Sequence, residues 1–173
     1  MTPLLLLTGP PGAGKSSVAA LLTGRWDRAV HLHTDDVHSW VATGYVAPWL
    51  TESQAQNEVI TGAIAAAADR LVRGGYAVLV DGVVGPWFLD AFCSLDHAVD
   101  YVVLRPSLAV TVARAADRGE HPLQDLGVVT QMHAAFADLG DLERHVIDST
   151  WLTAEATAAE VVRRLDAGSL TLA

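Results

Sequence analysis

Residues 4–22 read LLLLTGPPGAGKSSVAALL and combine three structural signals in one short segment. The four leucines, Leu4–Leu7, have the continuous apolar character of a strand buried on both faces. Residues 9–16 match the pattern G-x-x-x-x-G-K-S, whose glycines let backbone amides curl around phosphate oxygens. A helix is expected over 15–22, and its positive end would point at the same phosphates. The segment therefore predicts a strand–loop–helix unit that binds a nucleotide.

The loop positions have distinct expected roles. Lys15 is expected to reach the β- and γ-phosphates, and the Ser16 hydroxyl to ligate Mg²⁺. Lys15 is also the one lysine among 11 basic residues, and it falls where an ammonium is needed. A chance glycine-rich turn is the alternative, and the flanking strand and helix disfavour it. The predicted nucleotide contacts are Gly9, Pro10, Pro11, Gly12, Ala13, Gly14, Lys15, Ser16 and Ser17.

Length and composition place the chain among globular proteins. The 173 residues are 51% hydrophobic and 18% charged, which excludes a disordered or collagen-like chain. The single cysteine, Cys93, cannot form an internal disulfide, so a cytoplasmic location is expected. A net charge of −9 without any basic run disfavours nucleic-acid partners. No apolar stretch is long enough for a signal peptide or a membrane span, so neither is expected.

Short apolar runs alternate with helical patterns along the rest of the chain. Strands are predicted at Leu4–Leu7, Val30–His33, Ala77–Val80, Tyr101–Leu104 and His145–Ile147. Helices are predicted at 15–22, 36–42, 52–73, 87–93, 108–117, 126–139 and 154–165, the last capped by Thr153. Such alternation gives a parallel sheet with helices on both faces. We therefore expect a single α/β domain over residues 1–173.

Two carboxylates follow the second predicted strand, in the sequence Thr34-Asp35-Asp36. Ligands bind beyond the carboxyl ends of parallel strands, so this turn should lie beside the loop that carries Lys15. A carboxylate there can accept the proton of an attacking hydroxyl, and Asp35 is favoured for that role. The alternative is a helix cap. Asp36 is the candidate for that cap or for a supporting contact near the substrate.

The third predicted strand, Ala77–Val80, leads directly into Asp81 and Gly82. Four apolar residues and then Asp is a pattern typical of a carboxylate that holds Mg²⁺ directly or through water. A contact between Asp81 and the substrate is the alternative. A zinc site built on His31, His33 and His38 with Asp35 is disfavoured, because no second cluster of ligands accompanies them.

Two arginines follow the fourth predicted strand at helical spacing. Arg114 and Arg118 are four residues apart and so share one helix face. They are candidates for neutralising charge on a transferred phosphoryl group, and Arg114 also for binding the nucleotide. The alternative is that the two arginines lie on a solvated helix face and form ion pairs with Asp117 or Glu120. A lid segment is expected near 114–125, because Gly119, His121 and Pro122 form a loop there.

Aromatic residues cluster after the two candidate carboxylate positions. Trp40 and Trp49 follow Asp35, and Trp87 follows Asp81. Aromatic walls near a hydroxyl-binding site would suit a ring-bearing or largely apolar substrate. Packing in the core is the alternative, and the sequence favours neither.

These motifs together resemble the small P-loop kinases of the adenylate-kinase-like group. The shared segments are G-P-P-G-A-G-K-S-S at 9–17, T-D-D at 34–36, L-V-D-G at 79–82 and R-x₈-R-x₃-R-G at 105–119. The arginine spacing, with the aspartate after strand two, is similar to chloramphenicol phosphotransferases. The T-D-D turn also resembles the kinase domain of polynucleotide kinases.

The resemblance implies a three-layer P-loop kinase fold with five parallel strands in the order 2-3-1-4-5. It implies ATP and Mg²⁺ as cofactors and Asp35 as the general base for a substrate hydroxyl. It also implies that Arg114 and Arg118 lie at the lid near ATP, and that residues 145–150 flank the adenine.

The expected function is therefore transfer of the ATP γ-phosphate to a hydroxyl of a small molecule, either an antibiotic or a metabolite. A nucleoside or nucleotide kinase remains an alternative, as does a polynucleotide 5′-kinase, although the negative net charge argues against a polyanionic acceptor. A nucleotide-binding switch or ATPase without an acceptor is the alternative from another class.

Overall fold

A central β-sheet organises the chain, and the computed structural model describes residues 4–116 and 125–172. The strands are β1 (Leu4–Thr8), β2 (Ala29–His33), β3 (Ala77–Asp81), β4 (Val99–Leu104) and β5 (Val146–Ile147). Within these described residues they form one parallel sheet in the order β2-β3-β1-β4-β5. The expected α/β class, strand order and P-loop kinase-like fold are therefore confirmed.

Helices cover both faces of this sheet. Helices α1 (Lys15–Thr23) and α7 (Ala154–Asp166) pack on one face, and α3 (Gln54–Arg73) packs on the other. The remaining helices are α2 (Thr34–His38), α4 (Asp90–Cys93), α5 (Leu108–Ala116) and α6 (Leu126–Ala134). None of the helices in the described ranges is long and apolar enough to cross a membrane.

Strand β1 lies in the middle of the sheet and is buried on both faces. Leu4 and Leu6 join the hydrophobic core under α3, whereas Leu5 and Leu7 join the core under α1 and α7. All four side chains are at most 1% exposed. Because every position faces a core, the strand has no polar–apolar alternation.

The predicted helix after β2 had the wrong bounds. It begins at Thr34 and ends at His38, earlier at both ends than the predicted 36–42. The last residue of β2, His33, pairs with Asp81, the last residue of β3, so the ladder stops there and the chain turns into a helix. His33 occupies the N-cap position. The prediction of Asp36 as the cap was therefore wrong.

Other element ends differ in smaller ways. Helix α6 ends at Ala134 rather than at 139, because its last turn tightens and the Phe136 amide bonds to His133. Residue His145 closes a 3₁₀ turn instead of opening β5. The predicted helices at 52–73 and 87–93 start with 3₁₀ turns, at Thr51–Ser53 and Pro86–Phe88. The predicted cap Thr153 is confirmed, because its side chain accepts a hydrogen bond from the Ala156 amide.

The segment after β3 is held by two buried side chains. The Val84 amide donates to Thr8 Oγ1 at 2.8 Å, and Tyr101 Oη donates to the Val84 carbonyl oxygen at 2.9 Å. Thr8 and Tyr101 are both 0% exposed. Side chains from β1 and β4 therefore fix the path of the chain beyond β3.

Replacing Tyr101→Phe should test this anchor. The variant leaves the buried Val84 carbonyl oxygen without its donor, so we expect the free energy of unfolding to fall by about 1–3 kcal/mol. Urea denaturation measures the change. Tyr76→Phe is the control, because Tyr76 is a partly exposed ring beneath Arg28 and its hydroxyl should matter little. If the free energy of unfolding fell equally in both variants, the hydrogen bond from Tyr101 would not be the anchor of this segment.

The ends of β2 and β3 also meet at Gly82. A Cβ at this position would lie 2.6 Å from Thr34 Cβ, so Thr34 or the backbone would have to move. We expect Gly82→Ala to lower the free energy of unfolding by about 1–3 kcal/mol, as overpacking does. Gly62→Ala is the matched control, because nothing lies within 4 Å of its added Cβ in the middle of α3. The free energy of unfolding of the Gly62→Ala variant should rise by about 0.5–1 kcal/mol. An unchanged free energy of unfolding in Gly82→Ala would contradict the tight contact between Gly82 and Thr34.

Candidate active site

The phosphate-loop glycines adopt a geometry that side chains would prevent. Gly9 has a φ of 140° and Gly12 a φ of 84°, values that L-residues rarely adopt. A Cβ at Gly9 would overlap the carbonyl oxygen of Leu104, and one at Gly12 would overlap that of Thr111. The loop therefore packs its backbone directly against the end of β4 and against α5.

Lys15 lies over this loop at the amino end of α1. Its Nζ donates to the carbonyl oxygens of Gly9 at 3.0 Å and of Pro10 at 3.1 Å, and the residue is 7% exposed. An anion at the same place would face both the ammonium and the positive end of the helix. Of the other predicted nucleotide contacts, Pro10, Pro11, Gly12 and Ala13 are buried, Gly14 and Ser16 are half-buried and Ser17 is exposed.

Side chains from α1, β2 and β3 form a polar cluster beside Lys15. The Ser16 Oγ lies 3.3 Å from His33 Nε2. Asp81 Oδ2 lies 3.2 Å from His31 Nε2 and 3.6 Å from His33 Nε2. The structure thus brings Ser16 and Asp81, the two candidate metal ligands, to the same place. The sequence did not predict that the two histidines would contact them.

The surroundings of Asp81 favour its charged form. Burial by itself would raise the pKa of the carboxyl group. Hydrogen bonds with His31 and Ser16, together with the charges of Lys15 and His33, outweigh burial and hold the pKa below its usual value. Asp81 is therefore a carboxylate at neutral pH, although its side chain is 0% exposed.

One oxygen of this carboxylate is available for a ligand. Asp81 Oδ1 is buried and has no hydrogen-bond partner among the described residues. Such an orphaned oxygen next to the Ser16 hydroxyl provides the hard oxygen donors that Mg²⁺ prefers. The residues present therefore fit a nucleotide with its magnesium ion.

Arg114 lies at the other side of the loop. Its Nη2 is 3.5 Å from the Ser149 carbonyl oxygen and 3.4 Å from that of Leu152. Its Nη1 would be 3.9 Å from a Cβ at Gly14, so the guanidinium borders the phosphate loop. Arg118 and most of the expected lid at 114–125 lie outside the described residues.

The side chain of Arg105, the first arginine of the motif at 105–119, has different partners from that of Arg114. Arg105 forms two parallel hydrogen bonds to the Glu143 carboxylate, at 2.7 and 2.8 Å, and a third to the Phe136 carbonyl oxygen. These bonds raise the pKa of Arg105 and lower that of Glu143. Arg105 thus ties β4 to the segments that follow α6.

The two candidate bases are separated by the start of α2. Asp35 lines a cavity at the carboxyl end of β2. Asp36 points elsewhere, with a side chain that is 82% exposed and an Oδ1 that is 4.0 Å from His33 Nδ1. Because the helix begins at Thr34, the side chains of successive residues point about 100° apart around the helix axis. The arrangement therefore favours Asp35 over Asp36 for contact with a bound molecule.

The cavity beside Asp35 has a volume of about 190 Å³ and mostly apolar walls. Trp49 and Trp87, two of the three tryptophans predicted to contact the substrate, are part of its wall. Trp40 is 72% exposed and is not among the lining residues. The Trp87 ring is 47% exposed and packs against Gly85 so closely that a Cβ there would overlap it.

Sequence reasoning missed the cavity wall that α3 and α6 supply. Asn57, Thr61 and Ile64 of α3 line the cavity, as do Gln131 and Ala135 at the end of α6. Their spacing of three or four residues marks a single helix face in each case. This periodicity was visible in the sequence, but nothing local indicated that the two faces meet.

Comparisons with known proteins identify the family and the fold. The profile of a family described as AAA domain, AAA_33, matches residues 4–139. A comparison with curated proteins gives no significant match.

Several solved structures share the fold. A sugar kinase from Janibacter sp. HTCC2649 superposes with a TM-score of 0.76 at 19% identity, over 96% of this chain and 95% of that one. The tunicamycin resistance protein of Deinococcus radiodurans gives 0.71 at 17% identity, over 95% and 96%. A gluconokinase from Sinorhizobium meliloti 1021 gives 0.69 at 18% identity, over 97% and 98%.

The family profile spans most of the chain, and the sheet order and phosphate loop are those of P-loop kinases. The chain therefore belongs to the AAA_33 family of AAA domains, among the small P-loop kinases that its motifs resemble.

Proposed function

We propose that this P-loop kinase transfers the γ-phosphate of ATP to a hydroxyl group of a small molecule. The observation that carries the proposal is the position of the Asp35-lined cavity relative to the phosphate loop. The loop follows β1, Asp81 ends β3 and Asp35 follows β2, and these strands are neighbours in the sheet. At about 4.8 Å between neighbouring strands, the ends of β1 and β2 lie roughly 10 Å apart, with Asp81 between them.

The donor side would use the residues around the phosphate loop. Backbone amides of residues 9–14 and the Lys15 ammonium bind the phosphates. Ser16 and Asp81 would hold Mg²⁺, which would neutralise phosphate charge. Arg114 borders the loop and supplies a second positive charge next to the phosphates.

On the acceptor side, Asp35 accepts the proton of the substrate hydroxyl. The hydroxyl oxygen bonds to the γ-phosphorus, and the bond from that phosphorus to the oxygen bridging to the β-phosphate breaks. The products are ADP and a phosphate monoester. Trp49 and Trp87 line the cavity, and an acceptor packed against them would displace water and so favour transfer over hydrolysis.

The names of the structural neighbours agree with a small acceptor. They include a sugar kinase, a gluconokinase and a tunicamycin resistance protein, and an antibiotic or a hydroxyl-bearing metabolite is the corresponding proposal here. An acceptor panel should therefore contain chloramphenicol, sugars, gluconate, nucleosides and a 5′-hydroxyl oligonucleotide. ADP release measured with each compound identifies the acceptor.

Replacing Asp35→Asn should separate the acceptor step from nucleotide binding. We expect acceptor-dependent ADP release to fall about 10²- to 10⁴-fold, because the base is lost, while ATP binding is retained. Steady-state kinetics and titration calorimetry measure the two quantities. Asp36→Asn is the matched control and should keep most of the activity, since its side chain is 82% exposed and lies outside the cavity.

Slow ATP hydrolysis that no acceptor stimulates, and that survives Asp35→Asn, would instead indicate a nucleotide-binding switch or an ATPase. Equal losses from the two aspartate variants would also contradict the assignment of Asp35.

Replacing Lys15→Met should weaken ATP binding and lower kcat by about 10²-fold or more, because the ammonium over the loop is lost. Arg25→Met removes one positive charge as well, but from a surface pair with Asp166. It should leave ATP binding nearly unchanged. Calorimetric Kd values for ATP compare the two variants, and similar Kd values would contradict the role of Lys15.

A further inference from the structure

The cavity beside Asp35 offers no positive charge among the described residues that line it. Its lining contains neither lysine nor arginine, and Asp35 is its one carboxylate. An anionic group brought into such a site would lose its water and gain no cationic partner. The Asp35 carboxylate would also repel it.

The histidine in the lining does not supply the missing charge. Burial lowers the pKa of His38, and the Asp35 carboxylate offsets this only in part. The imidazole is therefore neutral at physiological pH. Its Nδ1 is buried and has no hydrogen-bond partner within the described ranges.

Aromatic rings provide the flat walls of the cavity. The Trp87 ring lies 5.6 Å from the Phe136 ring and 6.2 Å from the Phe88 ring, measured between centroids. Trp49 belongs to the same lining. Rings of this kind pack well against another ring, with offset or edge-on contacts.

Asn57 adds a specific polar contact to these apolar walls. Its Nδ2 donates to the Pro48 carbonyl oxygen and to Ser53 Oγ, both at 2.8 Å. A carbonyl oxygen only accepts, so the amide orientation is fixed and Oδ1 must be the acceptor. Asn57 is 7% exposed, and its Oδ1 has no partner in the part of the chain that the structure describes. The missing partner is a hydrogen-bond donor.

We propose, on the basis of the phosphotransferase function above, that the acceptor is an uncharged, ring-bearing alcohol with a second hydrogen-bond donor, which Asn57 selects. Anionic acceptors such as sugar acids and phosphorylated compounds are rejected. The described lining residues carry no cation that would offset the desolvation of an anion, the aromatic walls favour a ring, and Asn57 Oδ1 calls for a donor besides the reacting hydroxyl.

Ligand-observed NMR on the intact protein tests the three features with simple probes. 1-Phenyl-1,2-ethanediol and mandelate share the ring and the benzylic hydroxyl, but mandelate carries a carboxylate. 2-Phenylethanol lacks the second hydroxyl, and sorbitol and gluconate lack the ring. We expect the diol to bind about tenfold or more tightly than mandelate, and more tightly than the other three.

A variant at the cavity rim should reverse the charge preference. Gln131 is exposed and lines the cavity, so Gln131→Lys adds an ammonium there without burying it. We expect the Kd ratio of mandelate to diol to fall severalfold. Gln131→Met has a similar length without the charge and should leave the ratio near that of the unaltered protein.

The outcomes separate this inference from the proposed function. Tighter binding of mandelate or gluconate than of the diol, or no binding of any probe at millimolar concentration, overturns the inference. Acceptor-dependent ADP release with gluconate also overturns it, but leaves the phosphotransferase function standing. Binding in the expected order without ADP release from any hydroxyl compound supports the cavity chemistry and overturns the phosphotransferase function.

Discussion

Carbonyl groups of Leu104 and Thr111 leave no room for a side chain at Gly9 or Gly12, and the rest of the site depends on this contact. It holds the phosphate loop against β4 and α5. The loop in turn fixes where α1 begins and therefore where Lys15 and Ser16 lie. Because β3 runs beside β1, Asp81 reaches the same point from the adjacent strand. Backbone packing thus positions the charged groups before any ligand is bound.

Most of the fold could be predicted because its signals are local. The leucines of β1 are consecutive since the strand is buried on both faces, and the glycine–lysine–serine pattern follows immediately. The alternation of strands and helices is likewise written along the chain. Predicting the strand order required the resemblance to a known family, because no short segment specifies which strands become neighbours.

The cavity beside Asp35 was harder to predict, because residues far apart in sequence form it. Asn57 belongs to α3 and Gln131 to α6, and their shared cavity exists only after both helices pack. The contact of His31 with Asp81 depends on the register of β2 against β3, which local patterns do not encode. The start of α2 was misjudged for the same reason, since the end of the ladder at His33 determines it.

The position of Lys15 also restricts the amine chemistry of the molecule. It is the one lysine of the sequence, and it is nearly buried with its Nζ bonded to loop carbonyls. Reagents or enzymes that acylate lysine side chains therefore have a single target in this chain. Acylation there would remove the ammonium from the phosphate loop, so a single acyl group on lysine would change the charge of that loop.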